Sequence, residues 1–152
     1  MTTTVKGRKP LFLEQKNAKI LINIIYKQRL RKRFYLLRFV VMPEHLHLML
    51  VPSGNNTISF IMQEIKKGSA RLINANGRIK GKVWMDEYYE SVIRGERDFI
   101  MRMQYMANNP VKRGLVEKAE DYLYSSINSK YETDIETFFS GSETTPNTKP
   151  SK

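Results

Sequence analysis

The chain has no cysteine, and among its 152 residues only two are histidine and one is tryptophan. The first absence excludes a disulfide framework and any thiolate-bound metal, and it is a composition that a reducing cytosol tolerates. No uninterrupted apolar stretch approaches the roughly 18 residues a membrane span requires, and the opening MTTTVKGRKP lacks the apolar core of a secretory signal. A soluble, cytoplasmic protein without a membrane segment is expected. There is no internal repeat and no Walker-type glycine loop, so nothing points to a nucleotide-triphosphate engine. The length suits one domain with an ordinary core.

Acidic residues are scarce at the start. Residues 1–38 hold eleven lysines and arginines, from Lys6 to Arg38, against Glu14 alone. Over the whole chain 26 basic residues face 15 acidic ones, a formal charge of +11. A basic run such as KQRLRKR is often only a solvated face, but an excess sustained over the whole chain is the electrostatic footprint of a phosphate-rich partner.

The apolar pattern changes period along the chain. In LEQKNAKILINIIYKQRLRKR, Ala18, Leu21, Ile22, Ile25 and Leu30 recur at near-helical spacing and predict an amphipathic basic helix. FYLLRFVVM is β-branched and aromatic, Pro43-Glu44 reads as a tight connection, and HLHLMLV alternates at period two, so a β-hairpin is expected. Thr57 offers a helix start before Ile58, Ile61, Met62, Ile65, Leu72 and Ile73, and Gly77 a stop. YYESVIR is a short strand candidate, and RDFIMRMQYMANNP a helix expected to stop near Asn109, ahead of Pro110. The composition turns polar at about Glu132. The expected organisation is one domain over residues 1–131 and a polar, disordered tail over 132–152.

Both histidines lie in VVMPEHLHLML. On a strand, His45, His47 and Met49 share one face while Leu46, Leu48 and Leu50 share the other. Two imidazoles about 6–7 Å apart along a strand converge on one point, as two ligands of a single metal ion must. Alone, an H-x-H pattern is more often two satisfied or half-exposed histidines. Tyr105 and Asn109, four residues apart on one helical face, add a phenolic nucleophile and an amide oxygen. They also read as a buried tyrosine and a cap for the turn that Pro110 begins. Two imidazoles, an amide oxygen and phosphate oxygens make a mixed site compatible with Mg²⁺ or Mn²⁺, whereas imidazole alone suits zinc. Lys66, Lys67, Arg71, Lys112 and Arg113 are candidate contacts to a DNA backbone. Trp84 is a candidate platform for an unpaired base, although a lone tryptophan before a strand is more often a core or rim residue. Glu44 is either an acceptor that orients His45 or, as is usual for a turn carboxylate, a solvated group.

The segments MPEHLHLML, VWMDEYYESVIR and QYMANNPVKRGLVEKAEDYLYSSI together resemble the single-tyrosine transposases of the HUH endonuclease superfamily, and more narrowly the REP-associated tyrosine transposases. The resemblance runs from about Pro10 to Tyr131. Only MTTTV is available for a first strand, shorter than the family's usual opening, which implies a shortened sheet edge or reading frame. The resemblance implies a ferredoxin-like α+β fold whose antiparallel sheet is backed by helices, with the tyrosine helix across the histidine face. It implies that His45, His47 and Asn109 hold a divalent metal, Mg²⁺ or Mn²⁺, and that Tyr105 cleaves single-stranded DNA at a hairpin or palindromic repeat through a 5′-phosphotyrosine. The alternative is a non-catalytic, hairpin-binding descendant. Monomer and homodimer both remain open.

Overall fold

The computed structural model describes residues 1–77 and 79–144. Its framework is β1 (Thr2–Val5), α1 (Gln15–Leu30), β2 (Phe34–Met42), β3 (His45–Pro52), α2 (Ile58–Asn76) and β4 (Trp84–Tyr89), followed by α3 (Glu96–Lys112) and α4 (Ile135–Thr144). The first six alternate as βαββαβ, and the strands form one antiparallel sheet in the order β2-β3-β1-β4. This is the ferredoxin-like α+β arrangement expected. The short first strand is not a trimmed edge. Thr2 and Thr4 pair with His47 and His45 on one side, and Thr2 and Thr3 pair with Tyr89 and Tyr88 on the other, so four residues suffice to seat β1 between two longer neighbours.

Both faces of the sheet are covered. Leu46 and Leu48 of β3 pack with Leu21 and Ile25 of α1 and with Ile61, Met62 and Ile65 of α2. Met49, on the opposite face, packs with Val40 and Met42 of β2, Met106 of α3 and Tyr122. Strand alternation therefore sends the leucines to one core and the histidine side to the other. Gly68 lets α2 close on α1, since a β-carbon there would lie 3.3 Å from Ile24 Cδ1. The α3 helix is fixed to the sheet where Arg38 Nη1 of β2 donates to the Met103 carbonyl at 2.8 Å.

Several boundaries differ from expectation. Leu30 is 77% exposed; five residues beyond Ile25 it has rotated about 140° away from the buried stripe. The third strand candidate begins earlier, at Trp84 rather than Tyr88, because Val5 pairs with Trp84 and draws WMDEYY into the sheet. The α3 helix runs through Pro110 to Lys112. A proline so close to the end removes a single amide donor, and the turn closes with Arg113 N donating to Asn109 O at 3.0 Å and Leu115 N to Pro110 O at 2.9 Å.

The segment expected to form a disordered tail from residue 132 is ordered over its described part. Asp134 takes two hydrogen bonds from Arg29, at 2.9 and 2.7 Å, and one from the Leu36 amide at 2.8 Å. Ile135–Thr144 form α4, whose Phe138 meets Tyr35 and whose Phe139 meets Phe99. An overall polar composition hid the adjacent phenylalanines, each of which meets a different aromatic partner. Residues 145–152 of that expected tail lie outside the described residues.

Candidate active site

The site forms where β1, β3 and the last turns of α3 meet. His45 and His47 project from β3 with ring centroids 4.6 Å apart and planes at 85°. Their Nε2 atoms face each other at 2.9 Å. Each Nδ1 has its own partner behind it, Glu44 Oε1 at 3.0 Å for His45 and Thr2 Oγ1 at 2.8 Å for His47. From α3, Asn109 brings its side-chain amide to 3.2 Å from His47 Nε2. One turn earlier on that helix, the Tyr105 ring stands edge-on to His47 with centroids 5.9 Å apart, and it is 54% exposed. Tyr105 thus borders the histidine pair while facing solvent.

Glu44 is only 6% exposed. Its carboxylate accepts from Arg113 Nη1 at 2.7 Å and Nη2 at 3.3 Å, and Arg8 lies 3.8 Å away. The Arg113 guanidinium, assisted by His45, holds the Glu44 carboxyl down to about 2. Burial lowers both imidazoles despite that carboxylate, with His47 pushed down to about 4 by burial and by its neighbour His45. Both are therefore neutral at physiological pH, which is the form that can donate a lone pair to a cation.

The donor set fits a divalent ion. Two neutral imidazoles converge through Nε2, and the Asn109 amide, whose oxygen and nitrogen exchange places by a half-turn, reaches the same point. No cluster of three or more His, Cys, Asp or Glu side chains capable of holding a metal occurs among the described residues, so an N,N,O set with positions left for water or phosphate oxygens is what the site offers.

Four of the expected residues, His45, His47, Tyr105 and Asn109, are thus gathered at one place. The remaining expectations divide. Lys112 is exposed and shares a surface hollow with Tyr105 and Gln104. Arg113 lies at the site, but its guanidinium grips Glu44 rather than standing free for a phosphate. Lys66 donates to the carbonyls of Met85 and Asp86, and Lys67 and Arg71 are exposed on α2, the helix that covers the leucine face. Trp84 cannot stack on a base in this conformation: it is 3% exposed, leans on Phe12, and donates from Nε1 to Ser69 Oγ at 3.0 Å. Glu44, expected to be solvated, is a buried partner of His45. Thr2 was not visible as a site residue at all, because nothing but the β1–β3 register brings it to His47.

This α+β architecture is that of the HUH transposases. The model of the IS200-like transposases matches residues 1–109, and the chain belongs to that family. Within it the chain is similar to the REP-associated tyrosine transposase of Escherichia coli strain K12, at 29% identity over 127 residues, 83% of this chain and 73% of the relative. A putative REP-associated tyrosine transposase of Haemophilus influenzae strain Rd is 26% identical over 105 residues, covering 62% of this chain and 60% of the relative. A solved REP-associated tyrosine transposase bound to a REP hairpin superposes with a TM-score of 0.70 at 27% identity, over 82% of this chain and 73% of that one. Among the described residues no helix is long and apolar enough to cross a membrane.

Proposed function

We propose that this chain is a metal-dependent transposase that cleaves and rejoins single-stranded DNA at a hairpin or palindromic repeat. The observation that carries the reading is the Tyr105 ring set against the His47 ring, with Asn109 one turn away on the same helix and its amide at His47 Nε2. The bases of a single strand would approach from the solvent side, where Tyr105 is open.

In the reaction, Tyr105 Oη attacks phosphorus, the bond to O3′ breaks, and the phenolic proton is released as O3′ takes one up. The products are a 5′-phosphotyrosine and a free 3′-hydroxyl. One phosphodiester replaces another, so rejoining by the reverse step requires no nucleotide cofactor. His45, His47 and Asn109 would hold Mg²⁺ or Mn²⁺, which when bound polarises the scissile phosphate and neutralises charge developing on its oxygens. Burial keeps both imidazoles unprotonated for that purpose.

Other tyrosines are less suited. The Tyr122 hydroxyl donates to the Val41 carbonyl at 2.7 Å, and burial pushes it up to about 12. Tyr124 packs on Tyr122, and Tyr88 packs against the core on the leucine side. Tyr89 is the serious competitor: opposite Thr2 in the register, it lies on the histidine face and is 80% exposed. It sits two strands from His47, roughly 10 Å away.

The test is a denaturing gel of labelled single-stranded hairpin DNA with Mg²⁺ or Mn²⁺. Tyr105→Phe should retain DNA binding and lose the covalent adduct completely, while the phenylalanine variants at Tyr88, Tyr89, Tyr122 and Tyr124 should still form it. A wild-type chain that binds the hairpin without ever forming an adduct would instead fit a non-catalytic binding descendant.

A further inference from the structure

Glu44 touches both halves of the site. Its Oε1 receives His45 Nδ1 from β3 and Arg113 Nη1 from the end of α3, and its Oε2 receives Arg113 Nη2. Arg113 is in turn tied to the metal-side helix turn, because its backbone amide donates to the Asn109 carbonyl at 3.0 Å. Glu44 and Arg113 are 69 positions apart, so the pair fastens the start of β3 to the end of α3, beside the Asn109–His47 contact. We propose that Glu44 and Arg113 are positioning residues, Glu44 fixing the tautomer of His45 and Arg113 fixing the height of α3, so that His45 Nε2, His47 Nε2 and the Asn109 amide meet. This rests on the metal site put forward under Proposed function.

Donors and acceptors fix the protons of the two rings. An ionised carboxylate only accepts, so His45 must carry its proton on Nδ1 and present a bare Nε2. The 2.9 Å contact between the two Nε2 atoms then requires the proton of His47 on its own Nε2, and with it the Asn109 amide turned so that its Oδ1 rather than its Nδ2 faces that atom. Thr2 permits this, since a hydroxyl can donate to His47 Nδ1 in that state and accept from it in the other. One imidazole is therefore locked and the other adjustable. Arg113 contributes a two-pronged grip that a lysine cannot reproduce, and it offsets the cost of burying the carboxylate beside the histidine.

The full-length chain, labelled with ¹⁵N-histidine, reports the tautomers directly, and with two imidazoles its spectrum is simple. At a pH where both rings are neutral, wild type without metal should show His45 protonated at Nδ1 and His47 at Nε2. In Glu44→Gln the amide can donate as well as accept, so His45 should become a tautomer mixture. Titration with Mn²⁺, followed by electron paramagnetic resonance, should show affinity about 10–100-fold weaker in Glu44→Gln. It should also be weakened in Arg113→Ala and partly recovered in Arg113→Lys. Circular dichroism monitors folding, and the isosteric Glu44→Gln carries the decision if Arg113→Ala unfolds. Wild-type tautomers together with wild-type Mn²⁺ affinity in Glu44→Gln would overturn the proposal. Failure of the wild-type chain to bind Mn²⁺ would overturn the metal reading instead, and the imidazole spectrum of the metal-free protein would still decide whether Glu44 locks His45.

Discussion

His47 reads differently at each of its atoms: Nδ1 belongs to Thr2, Nε2 to the shared point with His45 and Asn109, and the ring as a whole stands across that of Tyr105. Removing the ring leaves the opposite, leucine face of β3 untouched. His47→Ala should therefore abolish divalent-cation-dependent adduct formation at a stability cost of only about 1–2 kcal/mol. His45→Ala should do the same. Urea unfolding alongside the gel assay checks both, and persistence of cleavage in either variant would remove the metal assignment. At this scale the pair itself was legible, because two histidines at i and i+2 on an alternating strand must share a face. Glu44 was not, because its environment depends on Arg113, far along the chain. Burial of Trp84 was the more usual reading of a lone tryptophan before a strand, but its partner was not legible: the indole N–H finds Ser69, a residue that nothing in the local sequence singles out.

Among the elements, the β2–β3 hairpin followed from period-two alternation and α2 from its cap, where Thr57 Oγ1 accepts from the Phe60 amide. The end of the fold did not follow, since α4 is held by a contact between distant elements. Asp134 bridges Arg29 of α1 and the Leu36 amide of β2, immediately before the helix. The Arg29 hydrogen bonds, with the Leu36 amide, hold the Asp134 carboxyl below its ordinary range against the opposing effect of burial. A carboxyl depressed in the folded state stabilises the protein above its unfolded value of about 3.9, and that contribution is lost as pH falls through this value toward the folded one. Asp134→Asn should cost about 1.5–3 kcal/mol near neutral pH. The difference from wild type should shrink as urea titrations are repeated at progressively lower pH, toward about pH 3. A difference that does not change with pH would mean that the charge of Asp134 is not what docks this segment.

For the molecule as a whole, the excess of +11 is not all available to a ligand. Arg29 is committed to Asp134, Arg33 to Glu64 at 3.1 Å, and Arg38 to the Met103 carbonyl. Lys6, Lys9 and Lys80, by contrast, line one cleft where the end of β1 meets the approach to β4, while the fourth lysine there, Lys82, is paired with Asp86; Val5 at the cleft's edge donates its amide to the Glu44 carbonyl. If about 6–10 phosphates are contacted, affinity for a labelled hairpin should fall by roughly 10³–10⁵ between about 50 and 200 mM salt, and toward the lower figure where the contacted segment is single-stranded. The distribution of charge makes this prediction specific. Lys6→Ala with Lys9→Ala should flatten the log–log salt dependence by up to about 1.4–1.8 in slope, the counterions of two phosphates. Arg29→Ala removes the same charge as one of those lysines, yet it should lower stability and leave the slope unchanged, because its guanidinium already has a carboxylate partner. Fluorescence anisotropy across a salt series separates the two. Flattening by Arg29→Ala about half as large as that of the lysine pair, one charge against two, would mean that net charge alone, rather than its placement in this cleft, draws DNA to this protein.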